Sequence, residues 1–115
     1  MTATPPEAPE AIARLEKLLG TPRDGALLRY SLGLEWMKAA QPAAAAARLR
    51  EAVEKDPGYS AAWKTLGKAL EESGDSGGAL SAYRSGIEAA RRKGDKQAEK
   101  EMSVFARRLE RGAQR

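Results

Sequence analysis

The 115-residue sequence has no cysteine, no histidine and no asparagine. Without cysteine no disulfide can form, so an ordinary apolar core must hold the fold, and nothing points to an oxidising compartment. A Cys/His zinc site is excluded. A Ser–His–Asp triad, a Cys–His pair or a histidine general base cannot come from this chain alone, which leaves Asp, Glu, Lys and Tyr for acid–base work. Aromatic residues are only 5% of the chain. Together with abundant alanine, that favours close-packed helices over a β-sandwich. The longest apolar run, Pro42 to Ala47, is far too short to span a bilayer. The start, Met1 to Pro9, has neither the basic residues nor the apolar stretch of a signal peptide. The expectation is a cytoplasmic protein with no membrane partner.

Hydrophobic residues at 42% and charged residues at 31% suit one soluble domain with a modest core. Residues 1–9 carry three prolines and read as a flexible tail before a domain over 10–112. Ile12, Leu15, Leu18 and Leu19 recur at helical spacing, which predicts a first helix over 10–20 ended by Gly20. Thr21-Pro22-Arg23-Asp24 reads as a start signal for a second, over 24–40, with Thr21 as its cap. Gln41-Pro42 starts a third, which stops at Asp56-Pro57-Gly58. A fourth runs over 60–73, a fifth from Gly77 to Lys93, and a last helix over 95–111 carries Met102, Phe105, Ala106 and Leu109 on one face. No run alternates apolar and polar between turn signals, so no strand is expected.

The strongest signal is internal repetition. Leu32-Gly33 and Leu66-Gly67 are 34 residues apart, as are Ala45 and Ala79, Leu49 and Tyr83, Arg50 and Arg84, Val53 and Ile87, and Glu54 and Glu88. The second unit reads Trp63-x2-Leu66-Gly67-x2-Leu70 and then Ala79-x3-Tyr83; the first reads Leu32-Gly33-x2-Trp36, Ala45-x3-Leu49, Ala52 and Pro57. A 34-residue period with these residues resembles the tetratricopeptide repeat. Three positions depart from it: Arg29 replaces a tryptophan, Leu70 a tyrosine, and Arg91 a closing proline. The resemblance implies an all-α fold. It would hold two antiparallel helix-turn-helix tetratricopeptide repeats (24–57 and 60–93) with N- and C-terminal capping helices, a right-handed α-solenoid fragment. Gly33, Ala45, Gly67 and Ala79 would then mark close helix crossings, with Trp36, Trp63, Leu66 and Tyr83 filling the spaces between neighbours.

The resemblance also implies a non-enzymatic scaffold whose first helices line a concave, peptide-binding groove. On helix 24–40, Leu28, Leu32 and Trp36 form a core stripe, while Leu27, Tyr30, Leu34 and Met37 form a second one nearly opposite. On helix 60–73 the corresponding face carries Lys64, Lys68 and Glu71. A groove of this kind suits a peptide with apolar anchors followed by acidic residues. Alternatively residues 11–19, or a second copy in a homo-oligomer, cover the apolar stripe, and Lys64 and Lys68 are solvated beside nearby glutamates. Some members of the family clamp a C-terminal carboxylate with Lys, Asn and Arg. Tyr30 and Leu34 stand where that clamp needs Lys and Asn, so that design is not expected here.

The net charge of +4 is local. From Arg84 onward ten basic residues face five acids, a net +5 that includes Arg91, Arg92, Lys93, Lys96, Lys100, Arg107 and Arg108. A basic last helix has the charge to touch a phosphate backbone. Interleaved acids and the lack of an aromatic stacking platform make nucleic acid the less favoured partner. Gly74-Asp75-Ser76-Gly77-Gly78 imitates the serine segment of trypsin-like proteases, but no histidine exists to activate Ser76, and the segment reads as an inter-helix turn. No strand precedes a Gly-rich turn and no carboxylate set has metal-ligand spacing, so neither cofactor nor metal is expected.

Overall fold

The computed structural model describes residues 8–113. Six helices follow one another: α1 (Ala8–Glu16), α2 (Ala26–Lys38), α3 (Pro42–Lys55), α4 (Ser60–Glu72), α5 (Ser76–Lys93) and α6 (Lys96–Ala113). No strand occurs among the described residues. Of the expected flexible tail, residues 1–7 lie outside the described residues, and Ala8 and Pro9 already belong to α1.

Local chemistry sets the boundaries. Pro42 sits in the first turn of α3, where its missing N–H costs nothing. Asp75 accepts the Gly78 N–H at 2.8 Å at the start of α5, and Asp95 accepts the Ala98 N–H at 3.1 Å at the start of α6. α4 and α5 end at left-handed glycines, Gly74 (φ +87°) and Gly94 (φ +72°). In each case the next N–H reaches back to close the helix end, Asp75 to the Leu70 carbonyl and Asp95 to the Ala90 carbonyl, both at 2.8 Å. α2 ends the same way, with Gln41 reaching the Trp36 carbonyl at 2.9 Å, but its left-handed residue is Ala40 (φ +58°). Ala40 lies 34 residues before Gly74, so the repeat keeps this turn and lacks only its glycine.

Two expectations at the N-terminal end are corrected. α1 closes at Glu16 instead of running to Gly20, and residues 17–20 continue as tight turns. Thr21 does not cap α2. Its hydroxyl donates to the Leu18 carbonyl at 2.6 Å and accepts the Arg23 N–H at 3.2 Å. Asp24 accepts the Gly20 N–H at 2.9 Å, so the segment folds back on itself and α2 starts only after Gly25.

Neighbouring helices pack as antiparallel pairs, α2 with α3 and α4 with α5. The described part measures 41 × 37 × 19 Å, and 19 Å is two helix diameters, so the fold is a two-layer slab. The larger core runs from α3 through α6 and buries Leu49, Leu66, Tyr83 and Met102 completely. A smaller one joins α1 to α2 through Ile12, Leu28, Leu32 and Ala39, and Trp36 packs against both. The two helices of each unit meet at a glycine. A Cβ at Gly33 would lie 2.5 Å from Leu49 Cγ, and one at Gly67 would run into the Tyr83 ring.

The end helices are half-units. Moving back 34 residues from α3 places Ala45, Ala46 and Leu49 on Ala11, Ile12 and Leu15, so α1 repeats the second helix of a unit. Moving forward 36 from α4 places Ser60, Ala62, Leu66 and Leu70 on Lys96, Ala98, Met102 and Ala106, so α6 repeats the first. The two extra residues belong to the longer α5, where Arg91 continues the helix in place of a closing proline.

Two substitutions test this frame by urea unfolding. Gly67→Ala should lower stability by about 1–3 kcal/mol, because the methyl group overpacks against a fully buried ring; Gly77→Ala, where a Cβ meets nothing within 4 Å, should not. Ala40→Gly should raise stability, by about 1 kcal/mol or less, by relieving a left-handed alanine.

Candidate partner-binding face

The first helices α2, α4 and α6 lie side by side and carry the candidate residues. On α2, Leu27 is 68% exposed. Leu34 is half-buried. Tyr30 and Met37 are half-buried against the larger core, and the Tyr30 ring centre lies 4.9 Å from that of Tyr59. The second apolar stripe is therefore graded, with its inner members bracing the core and Leu27 outermost. α1 does not cover it. Ile12 and Leu15 pack with Leu28, Leu32 and Trp36, the other stripe of α2.

The α4 residues of the face are already engaged by α6. Lys64 Nζ meets Glu101 Oε1 at 2.8 Å. The Lys68 ammonium sits 4.6 Å from the centre of the Phe105 ring. Glu71 takes Arg108 at 2.8 Å and also accepts the Tyr83 hydroxyl at 2.6 Å. Glu101, Phe105 and Arg108 recur at i, i+4 and i+7, so one edge of α6 meets one edge of α4 over two turns. The hydrogen bond from Lys64 holds Glu101 below the ordinary carboxylate range. Burial, and then the Glu71 contact, push the Tyr83 hydroxyl well above an ordinary phenol, so it stays a donor at neutral pH. Val104, half exposed, lies beside these residues on the same edge.

Arg29, the residue that replaces the usual tryptophan, forms an ionic clip. It holds Asp24 through two hydrogen bonds (2.9 and 2.7 Å) and Glu51 of α3 through a third (2.7 Å), and Arg48 joins Glu51 at 2.9 Å. The Arg29 hydrogen bonds hold Asp24 far below the ordinary carboxylate range. Burial raises Glu51, but the bonds from Arg29 and Arg48 outweigh it and leave this carboxyl lowered as well. The clip ties the 17–25 segment and α2 to α3 by charge where a tryptophan would do so by packing.

The basic residues are only partly available. Arg91 pairs with Glu99 at 2.8 Å, Arg108 is committed to Glu71, and Lys93 donates to the Gly58 carbonyl at 2.9 Å. Arg107 makes only a long bond to the Ser103 carbonyl. Arg92, Lys96 and Lys100 make no ion pair among the described residues. The single phenylalanine lies beneath Lys68 and Arg108 and is not a free stacking surface. Among the described residues no set of three or more carboxylates is placed to hold a metal, and no helix is long and apolar enough to cross a membrane.

Comparison with known proteins decides the family. Residues 37–98, more than half of the chain, match the profile of the tetratricopeptide repeat. The chain belongs to the tetratricopeptide-repeat family. It is 50% identical over 100 residues to a TPR repeat-containing protein of Pseudomonas aeruginosa, covering 87% of this chain and 95% of that one. It is similar to a protein of Bordetella parapertussis solved in solution, at 46% identity and TM-score 0.74 over 88% of each chain. The crystal structure of the Sgt2 TPR domain from Aspergillus fumigatus matches at 27% identity and TM-score 0.72, over 93% of this chain and 73% of that one. Tetratricopeptide repeats are in general protein-interaction modules, and proteins of the family are in general non-enzymatic scaffolds.

The clip makes a pH prediction. A carboxyl whose folded value is depressed stabilises the fold above its unfolded value and loses that contribution as pH falls. The stability difference between wild type and Asp24→Asn should therefore be full at pH 7 and shrink below about pH 4, which chemical denaturation across pH 2–7 would measure.

Proposed function

We propose that the protein is a cytoplasmic adaptor without catalysis of its own, which docks an extended or helical peptide of a partner along α2, with α4 and α6 as the far wall. One observation supports this above the others: the outer apolar stripe of α2 is left uncovered by α1, with Leu27 68% exposed. Leu27 and Leu34 take the apolar anchors, while Tyr30 and Met37 shape the floor they rest on.

The charged wall changes the expected ligand. Lys64 is neutralised by Glu101 and Glu71 by Arg108, which leaves Lys68 as the one α4 cation of this face without a carboxylate partner among the described residues. Affinity then comes mainly from apolar anchors, with one acidic ligand residue near Lys68. Paired surface charges respond little to a further charge in the ligand.

The test is affinity capture with mass spectrometry, followed by titration of the captured partner's peptide. Leu27→Glu should weaken binding by about tenfold or more, near 1.4 kcal/mol, and leave circular dichroism unchanged. Arg92→Glu should leave binding unchanged, and so should raising salt from about 0.1 M to 0.5 M. Full binding by Leu27→Glu would move the site elsewhere. Steep salt dependence with loss in Arg92→Glu would instead favour the basic segment and a nucleic-acid or acidic partner. Tyr30→Ala with Met37→Ala is a poor probe, because both side chains brace the core.

A further inference from the structure

The described helices begin and end with unequal half-units. Among the described residues, α1 repeats the second helix of a unit with no first helix beside it, and α6 repeats the first helix of a unit with no second. In the complete units Leu49 or Tyr83 presses onto the glycine of its own first helix, with Ala45 or Ala79 one turn earlier, and all four are fully buried. Their counterparts on α1, Ala11 and Leu15, have no such first helix among the described residues and are only partly buried.

α6 shows the converse. Ser103 stands 36 residues after Gly67, so the small residue required at the helix crossing is kept. Beside it, Ala106, Arg107, Arg84 and Ile87 line an open cavity of about 370 Å³ between α5 and α6, with Glu110 paired to Arg84 at the rim. One unit earlier, the counterparts Val53, Gly67 and Leu70 are buried, with Tyr83 of α5 seated on Gly67. The cavity is therefore the seat of a second helix.

We propose that this seat accepts α1 of a second copy of the chain, so that α6 of one molecule and α1 of the next complete a unit between them. Leu15 of the second copy takes the place that Tyr83 takes on Gly67, and lies on Ser103. The charges agree in part: among the described residues Arg107 has only its long backbone bond on this side, and α1 presents exposed Glu10, while Glu16 lies 3.9 Å from Arg48 of its own chain. The contact is head-to-tail, so it propagates into a chain of molecules unless its rotation closes a ring. It is made by α1 and α6 at the two ends of the slab, and its test reads molecular mass without any variant at Leu27 or Leu34, so its failure is distinguishable from failure of peptide docking.

Sedimentation and light scattering over a concentration series, up to about 1 mM, test it. Wild type should rise above monomer mass. Ala11→Arg blocks the α1 end, and Ser103→Trp fills the seat; both positions are only partly buried, and each variant alone should remain monomeric with unchanged circular dichroism. Mixed one to one, they should form a dimer and nothing larger, because each retains one working end. A wild-type monomer throughout the series overturns the proposal without reference to any variant. So do folded variants that still associate as wild type does, or a mixture of two folded variants that stays monomeric. Ala11→Lys and Ser103→Arg replace either variant if its helix signal falls.

Discussion

Everything in this slab depends on how closely the two helices of a unit can approach. Gly33 gives Leu49 its place, and Gly67 gives Tyr83 its place. A close crossing lets small residues such as Ala45, Ala52, Ala62 and Ala79 be fully buried between backbones. That is how a chain with so few aromatic residues builds a core: it uses proximity where other folds use volume. The same approach fixes the rotation of each helix about its own axis. That rotation decides which side chains reach the outer face, so the glycines place Leu27 and Lys64 as surely as they place Leu49.

Much of this was legible in the sequence because it is periodic. The 34-residue spacing relates Leu32-Gly33 to Leu66-Gly67, and repetition reveals close crossings without any knowledge of the partner helix. Helix ends marked by Gly94 and Asp95, or by Pro42, were legible for local reasons. The missed features depend on where a side chain ends up. Arg29 was visible as a departure from the repeat, but its partner Glu51 is 22 residues away and on another helix. Thr21 carried the residue type of a cap, and the fold-back of the 17–25 segment spent its hydroxyl on Leu18 and Arg23.

The candidate face was legible in part, for the same reason. The stripe Leu27, Tyr30, Leu34 and Met37 follows from helical spacing, but its grading from buried to exposed follows from tertiary packing. Lys64, Lys68 and Glu71 follow from helical spacing as positions on α4, while their pairing with Glu101, Phe105 and Arg108 required the packing of α6.

The two tryptophans sit in different parts of the packing. Trp36 joins the α1–α2 cluster to the larger core, whereas Trp63 packs within the larger core and donates its indole N–H to the Pro57 carbonyl at 2.8 Å. Each is a natural fluorophore in a different environment. With Trp63→Phe, emission reports on the junction of the two clusters, and with Trp36→Phe on the larger core alone. The chain thereby carries its own optical means of asking whether its repeats melt together or in sequence from one end, a question that stacked, nearest-neighbour architectures pose more sharply than globular ones.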